Sequence, residues 1–320
     1  MRTSWFHGLV TATIHAHPDW PSNPVLPRDF VARYGHGADR ALVISGGGLA
    51  GLAWGAAYLQ GLSRAGLELS TADLVVGTSA GSLLGAVVLA KDLRRFNFQL
   101  QLASKSRLFE FIRKDSDPHE SAAHARAMFD DATDGDEETL LRIGHAALAA
   151  KAPSKYAMYA QISAFVGRMK WPSSALRTTA YDTYTAQRLV FCRQSGVQLL
   201  SALSASAAVP GLMTPVQIDQ RRCMDGGMVS GSNMDIAAGA RKVLVLGLVH
   251  DPEPGRWTNR PGIWNEELAS MRAAGTVTVT RLPAEELGDP MDATALPLGL
   301  RLGAEQAERD APELSEFWNT

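Results

Sequence analysis

The sequence predicts an α/β fold built on a parallel sheet, and three observations carry that expectation. Residues 41–45 (Ala-Leu-Val-Ile-Ser) and 73–76 (Asp-Leu-Val-Val) are short apolar runs without polar alternation, the pattern of strands covered on both faces. A glycine-bearing turn and then a helical pattern follow each run, over 49–64 after the first and 80–91 after the second. Strand signals return at 178–181, 189–192, 216–218, 243–246 and 276–282. A βαβα opening requires crossover connections, and these make neighbouring strands parallel.

The elements follow in order. Residues 1–38 carry Pro18, Pro21, Pro24 and Pro27 among scattered aromatics and read as an irregular N-terminal arm. After the opening unit, 92–170 is mainly helical, with apolar residues three and four apart over 93–103, 107–114, 122–129 and 137–149. This region is expected to form a helical cap over the site described below. The acidic run 130–138 reads as a solvated turn with acids at a helix N-terminus; the EF-hand spacing is not met. Residues 216–224 read as a hairpin turning at Asp219 and Gln220, and 298–317 as a helix interrupted by Pro312.

The bulk composition narrows the function classes. The chain has 320 residues, 46% hydrophobic and 20% charged, with net charge −2. That suits a folded domain with a substantial core and gives no electrostatic reason for a nucleic-acid partner. Cys192 and Cys223 stand in no ligand spacing, so no metal is expected, and reduced thiols in a cytoplasmic protein are the simpler expectation beside a possible disulfide. No secretory signal is read at the N-terminus. The longest apolar stretches, 83–90 and 243–249, are too short to span a bilayer.

Four motifs carry the chemistry. Gly46-Gly47-Gly48-Leu49-Ala50-Gly51 joins a strand to a helix; converging backbone N–H groups there suit a phosphate or the oxyanion of an acyl-transfer intermediate. Gly77-Thr78-Ser79-Ala80-Gly81 places a serine on a strand-to-helix turn. Its flanking glycines, Gly77 and Gly81, permit the sharp bend that exposes a nucleophilic hydroxyl. Residues 202–210 are small and suit a helix packed against another backbone, and Asp225-Gly226-Gly227 follows the expected hairpin.

Taken together and in this order, the glycine loop, the GxSxG string, Ala205-Ser206-Ala207-Ala208-Val209-Pro210 and Asp225-Gly226-Gly227 resemble the patatin-like phospholipase family over roughly residues 40–250. The resemblance implies a three-layer sandwich, a mainly parallel central sheet flanked by helices, formed by a single domain over 39–320. It implies a lipid or other acyl ester as substrate and no cofactor. It also implies Ser79 as nucleophile, Asp225 as its partner in a Ser–Asp dyad, Gly226 and Gly227 as motif support, and an oxyanion hole from Gly46, Gly47, Gly48 and Leu49. One departure is visible: the family's glycine loop usually has a basic residue where this chain has Ala50.

Alternatives stand beside this reading. His250 ends an apolar run, so Ser79, Asp225 and His250 also follow the Ser-Asp-His order of a triad esterase. Gly46, Gly48 and Gly51 have dinucleotide-loop spacing, with Glu68 and Asp73 as acidic candidates downstream. A catalytically silent scaffold is the third. Basic and aromatic residues mix over 104–114, with Phe109 and Phe111, and over 155–171, which suits either contact with a membrane surface or amphipathic helices covering the sheet.

Overall fold

The computed structural model describes residues 34–105, 118–167, 169–250 and 260–320. Most of the expected arm, the helix expected over 107–114 with Phe109 and Phe111, and Arg168 lie outside the described residues.

Among the described residues an eight-stranded sheet forms the centre. Its strands are β1 (Arg40–Ile44), β2 (Leu74–Gly77), β3 (Leu176–Asp182), β4 (Arg188–Phe191), β5 (Val216–Ile218), β6 (Arg221–Asp225), β7 (Lys242–Leu246) and β8 (Val277–Arg281). They run in the order β5-β6-β3-β2-β1-β7-β8, with β4 also on β3. The block β3-β2-β1-β7-β8 is parallel throughout. The pairs β3–β4, β3–β6 and β5–β6 are antiparallel. The helices of the described residues are α1 (Gly48–Arg64), α2 (Ala80–Leu89), α3 (Leu93–Lys105), α4 (Glu120–Asp130), α5 (Glu137–Ala149), α6 (Lys155–Val166), α7 (Leu199–Ser206), α8 (Ile263–Ala273) and α9 (Leu296–Asn319).

The expected mixed α/β fold with a mainly parallel central sheet is what forms. Successive residues of a strand point to opposite faces, and both faces are covered. Leu42, Ile44, Val75 and Leu246 enter the core shared with α1, α2 and α9. Ala41, Val43, Val76 and Val245 enter the opposite core with Trp264 and Met271 of α8. That double coverage is why β1 and β2 read as unbroken apolar runs. Backbone closeness sets the outer packing of α1 against α9: a side chain at Gly303 would come within 2.2 Å of the Trp54 carbonyl oxygen.

Two elements depart from expectation. α9 continues through Pro312. The proline is exposed, and so is Glu308, whose carbonyl loses its helical donor there, so water can replace the missing bond. The basic and aromatic segment 155–171 is partly a packing element: Tyr159 Oη bonds Ser201 Oγ at 3.0 Å and Trp171 Nε1 donates to the Val197 carbonyl at 2.7 Å. Tyr156, by contrast, stays exposed, as do Phe98 and Leu102 of α3.

One detail of register positions the site. β3 pairs with β4 along one edge, Thr178 with Phe191 and Ala180 with Leu189. On its other edge Thr178 pairs with Gly77 of β2, and Ala180 pairs with Asp225 of β6. β2 and β6 therefore meet end to end along a single strand, and their C-terminal residues face each other.

Candidate active site

Ser79 occupies the turn between β2 and α2. Its backbone has φ 51° and ψ −120°, a region L-residues rarely adopt. Between Leu74 and Val88 it is the one residue that is not buried. The flanking glycines make the bend possible by close approach. A Cβ on Gly81 would lie 2.1 Å from the Ile44 carbonyl oxygen, and one on Gly77 would lie 2.5 Å from Ser82 Cα. The Ser79 N–H donates to Ser206 Oγ at 2.9 Å, and its carbonyl accepts from Ser82 Oγ at 2.6 Å. Main-chain hydrogen bonds thus hold the turn, and the Ser79 side chain takes no part in them.

Asp225 ends β6 and is 3% exposed. Its N–H donates to the Ala208 carbonyl at 3.0 Å, and the Gly226 N–H donates to the Ser206 carbonyl at 3.1 Å. The small-residue segment at the end of α7 therefore braces both halves of the site: Ser206 holds Ser79 through its hydroxyl and Gly226 through its carbonyl. Asp225 Oδ1 accepts from the Gly227 N–H at 2.7 Å, whereas Oδ2 is buried without a hydrogen-bond partner. Burial pushes the Asp225 carboxyl up to about 7. The Gly227 N–H opposes that most, followed by the nearby Ser79 hydroxyl and then by the charge of Arg126. Ser79 is close enough to act on the carboxyl, yet no hydrogen bond of ordinary geometry joins the two. A Cβ on Gly226 would lie 2.4 Å from the Thr179 carbonyl oxygen, which accounts for glycine after the aspartate.

The glycine loop divides into used and unused donors. The Gly46 N–H donates to the Gly231 carbonyl at 2.8 Å. The N–H groups of Leu49 and Ala50 both donate to the Pro290 carbonyl, at 2.6 and 3.2 Å. The N–H groups of Gly47 and Gly48 have no partner among the described residues. Glycine at these two positions is required by crowding: a Cβ would lie 2.4 Å from Leu248 Cβ at Gly47 and 2.4 Å from the Pro290 oxygen at Gly48. Pro290 thus takes the second and third amides of α1, and the donors left free at this helix end are those of Gly47 and Gly48.

His250 Nδ1 meets the Pro283 carbonyl at 2.8 Å, and among the described residues no hydrogen bond joins it to Ser79 or Asp225. The acidic run 130–138 contains the cap of α5, where Asp136 Oδ1 accepts from the Thr139 N–H at 2.8 Å. Cys192 and Cys223 are free and buried. Among the described residues no helix is long and apolar enough to cross a membrane.

Sequence reasoning passed over a set of buried polar residues behind the site. Arg188 donates to both carboxylate oxygens of Asp235, at 2.8 and 2.7 Å, and to Asn233 Oδ1 at 3.1 Å. Glu267 Oε2 accepts from Ser230 Oγ at 2.9 Å and Ser232 Oγ at 2.6 Å. A signal for Glu267 was present in the sequence: it lies four residues after Ile263 and four before Met271, on the buried face of α8.

The sequence model of the family described as patatin-like phospholipase matches residues 42–238. No curated protein matches the chain. Among solved structures it is similar to VipD from Legionella pneumophila, with TM-score 0.41 and 11% identity over 86% of this chain and 67% of that one. It is also similar to the type III effector protein ExoU, with TM-score 0.33 and 15% identity over 85% of this chain and 53% of that one. The chain thus spans about half the length of the ExoU chain. The matched family span runs from β1 through the loop beyond Asp225 and covers more than half of the 320 residues, and on that ground the chain belongs to the patatin-like phospholipase family.

Proposed function

We propose that this protein hydrolyses acyl esters of lipids through a Ser79 acyl-enzyme, with Asp225 as the base. The observation that carries the proposal is the Asp225 carboxyl: buried, partnerless at Oδ2, and beside the strained, accessible Ser79. A carboxylate in water is too weak a base to activate a serine. Burial raises its basicity into the range where a proton can be exchanged near neutral pH.

In the first step Ser79 Oγ attacks the ester carbonyl carbon, and its proton passes to Asp225 Oδ2. The carbonyl oxygen, now carrying the negative charge, is held by the N–H groups of Gly47 and Gly48. The intermediate collapses to the acyl-serine, and the departing alkoxide takes the proton from Asp225. A water molecule then attacks the acyl-serine, with Asp225 again accepting a proton, and the fatty acid leaves as Ser79 regains its own. Two donors suffice for the oxyanion, so the amides of Gly46 and Leu49 serve the fold. Family membership supports the lipid nature of the substrate.

A fluorophosphonate probe tests the reading. It is expected to label Ser79 and to leave Ser79→Ala unlabelled. Ester turnover should fall by on the order of 10⁴-fold or more in Ser79→Ala and by about 10²–10⁴-fold in Asp225→Asn, while His250→Ala keeps most of it. The free-enzyme kcat/KM should rise with pH through about 7 as Asp225 loses its proton. A His250→Ala protein that folds normally and has lost nearly all activity overturns the dyad.

A further inference from the structure

Asn233 is 0% exposed and adopts the left-handed conformation, φ 49° and ψ 35°. Asparagine tolerates that conformation better than most residues. Its Nδ2 reaches four acceptors: the Ser230 carbonyl at 2.8 Å, the Gly226 carbonyl at 3.0 Å, Thr78 Oγ1 at 3.1 Å and Thr179 Oγ1 at 3.4 Å. Its Oδ1 accepts from Arg188 Nη1 at 3.1 Å. A guanidinium only donates, so the amide oxygen must face it and the nitrogen must face the four oxygens. Arg188 is itself fixed by its two-pronged bond to Asp235. The amide is thereby held in one orientation.

Two of the four acceptors are the immediate neighbours of the proposed dyad. Thr78 precedes Ser79, and Gly226 follows Asp225. These residues stand at the ends of β2 and β6, which each pair with β3. The sheet alone fixes each strand end relative to β3. A link between the two ends must cross the gap, and the Asn233 amide crosses it.

We infer that Asn233 is a positioning residue: its side-chain amide ties the residue before Ser79 to the residue after Asp225 and so sets the spacing across which the proton moves. The inference rests on the Ser79–Asp225 reading. Ser206 braces the same pair from the side of α7 through Ser79 N–H and Gly226 N–H. Asn233 is distinct in reaching both ends with one planar group. A misplacement of about 1 Å at a reacting pair costs on the order of 10²-fold in rate.

Two variants of the full chain, assayed on p-nitrophenyl butyrate, test this. Asn233→Asp keeps the oxygen that faces Arg188 and turns the donor into an acceptor; Thr78→Val removes a single oxygen from the bridge with little change of shape. Competent sites are counted by fluorophosphonate titration, so that kcat is expressed per labelled Ser79. Both variants should lose about 10–10²-fold in kcat per site with KM within about threefold of wild type. Asp310→Asn serves as the stability control. It weakens the Tyr58 Oη–Asp310 bond of 2.7 Å between α1 and α9, and it should lower Tm while leaving kcat per site unchanged. Wild-type kcat per site in Thr78→Val, or in a soluble Asn233→Asp, overturns the inference and reduces Asn233 to scaffolding. Thr78→Val decides the matter alone where Asn233→Asp does not fold. Hydrolysis surviving in Ser79→Ala would instead overturn the dyad itself, so the two failures are told apart.

Discussion

On the Ser79 side of the site, backbone lies directly on backbone. Gly81 rests on the carbonyls of Ile44 and Ser45, and Gly77 rests on the first turn of α2. Every residue from Ala80 to Val88 is buried, nearly all of them small or aliphatic. On the Asp225 side the loop over 226–235 is suspended in hydrogen bonds. Asn233 gathers four oxygens, Arg188 and Asp235 form a buried pair, and Glu267 reaches in from α8 to hold two serines. The two sides divide the labour of the proposed mechanism. A nucleophile at Ser79 would need a fixed, strained backbone, which close packing supplies. A base at Asp225 would need a partnerless oxygen away from water, and a loop around it can stay ordered only if its other polar groups are satisfied.

The largest expected effect breaks the packed side. Gly81→Ala places a Cβ 2.1 Å from the Ile44 oxygen and 2.5 Å from the Ser45 oxygen, both on backbone that cannot step aside. The cost should reach or exceed the upper end of the 1–3 kcal/mol of ordinary overpacking. Labelling by fluorophosphonate should vanish together with a drop in Tm. A Gly81→Ala protein that labels at the wild-type rate would show that the elbow does not depend on this contact.

Next in size is Asp225→Asn, which separates activity from stability. Burial raises the Asp225 carboxyl to about 7, against about 3.9 for an unfolded chain. Between those values the folded state holds the proton more tightly than the unfolded state does. The stability linked to the neutral acid is therefore complete below the lower value and lost as pH rises through about 7. The asparagine variant never ionises. It should match wild type in stability only below about pH 3.9, exceed it by about 1.5 kcal/mol at pH 5 and by up to about 4 kcal/mol at pH 8, while hydrolysing almost nothing. Equal thermal scans at both pH values would mean that the carboxylate is better solvated than its burial indicates.

The same contrast explains what could be read in advance. The packed side was legible because close packing demands residue types that stand out: Gly77, Ser79 and Gly81 between an apolar run and a helix; on the other side only Asp225 before two glycines stood out. The parallel core was legible for a related reason, since strands covered on both faces lose their alternation. The hydrogen-bonded side was not. Ser230, Ser232, Asn233 and Asp235 look like an ordinary polar loop, and nothing local indicates that a helix some 30 residues later will seal them from water. The division of the glycine loop was hidden for the same reason. Its amides look equivalent in sequence, but Pro290, from the connection between β8 and α9, takes two of them.

The smallest expected effect tests whether the polar side is structural support and nothing more. Burial, reinforced by the charge of Asp235, pushes the Glu267 carboxyl up to about 7; the hydroxyls of Ser232 and Ser230 and the charge of Arg188 oppose it. The sign is that of Asp225: stability is complete below the ordinary glutamate range and is lost as pH rises through about 7. Glu267→Gln keeps an oxygen able to accept from Ser230, Ser232 and the Met234 N–H, and it removes the charge. Its Tm should fall less than that of wild type between pH 5 and pH 8, by a few degrees at roughly 2–4 °C per kcal/mol. Unlike Asp225→Asn, it should keep kcat within about tenfold of wild type, because Glu267 touches neither Ser79 nor Asp225 and would act on the proposed dyad only through the loop that carries Asn233. A loss as deep as that of Asp225→Asn would place Glu267 in the chemistry and dissolve the distinction between the two sides; an unchanged pH dependence of Tm would show that its charge is already compensated by Arg188.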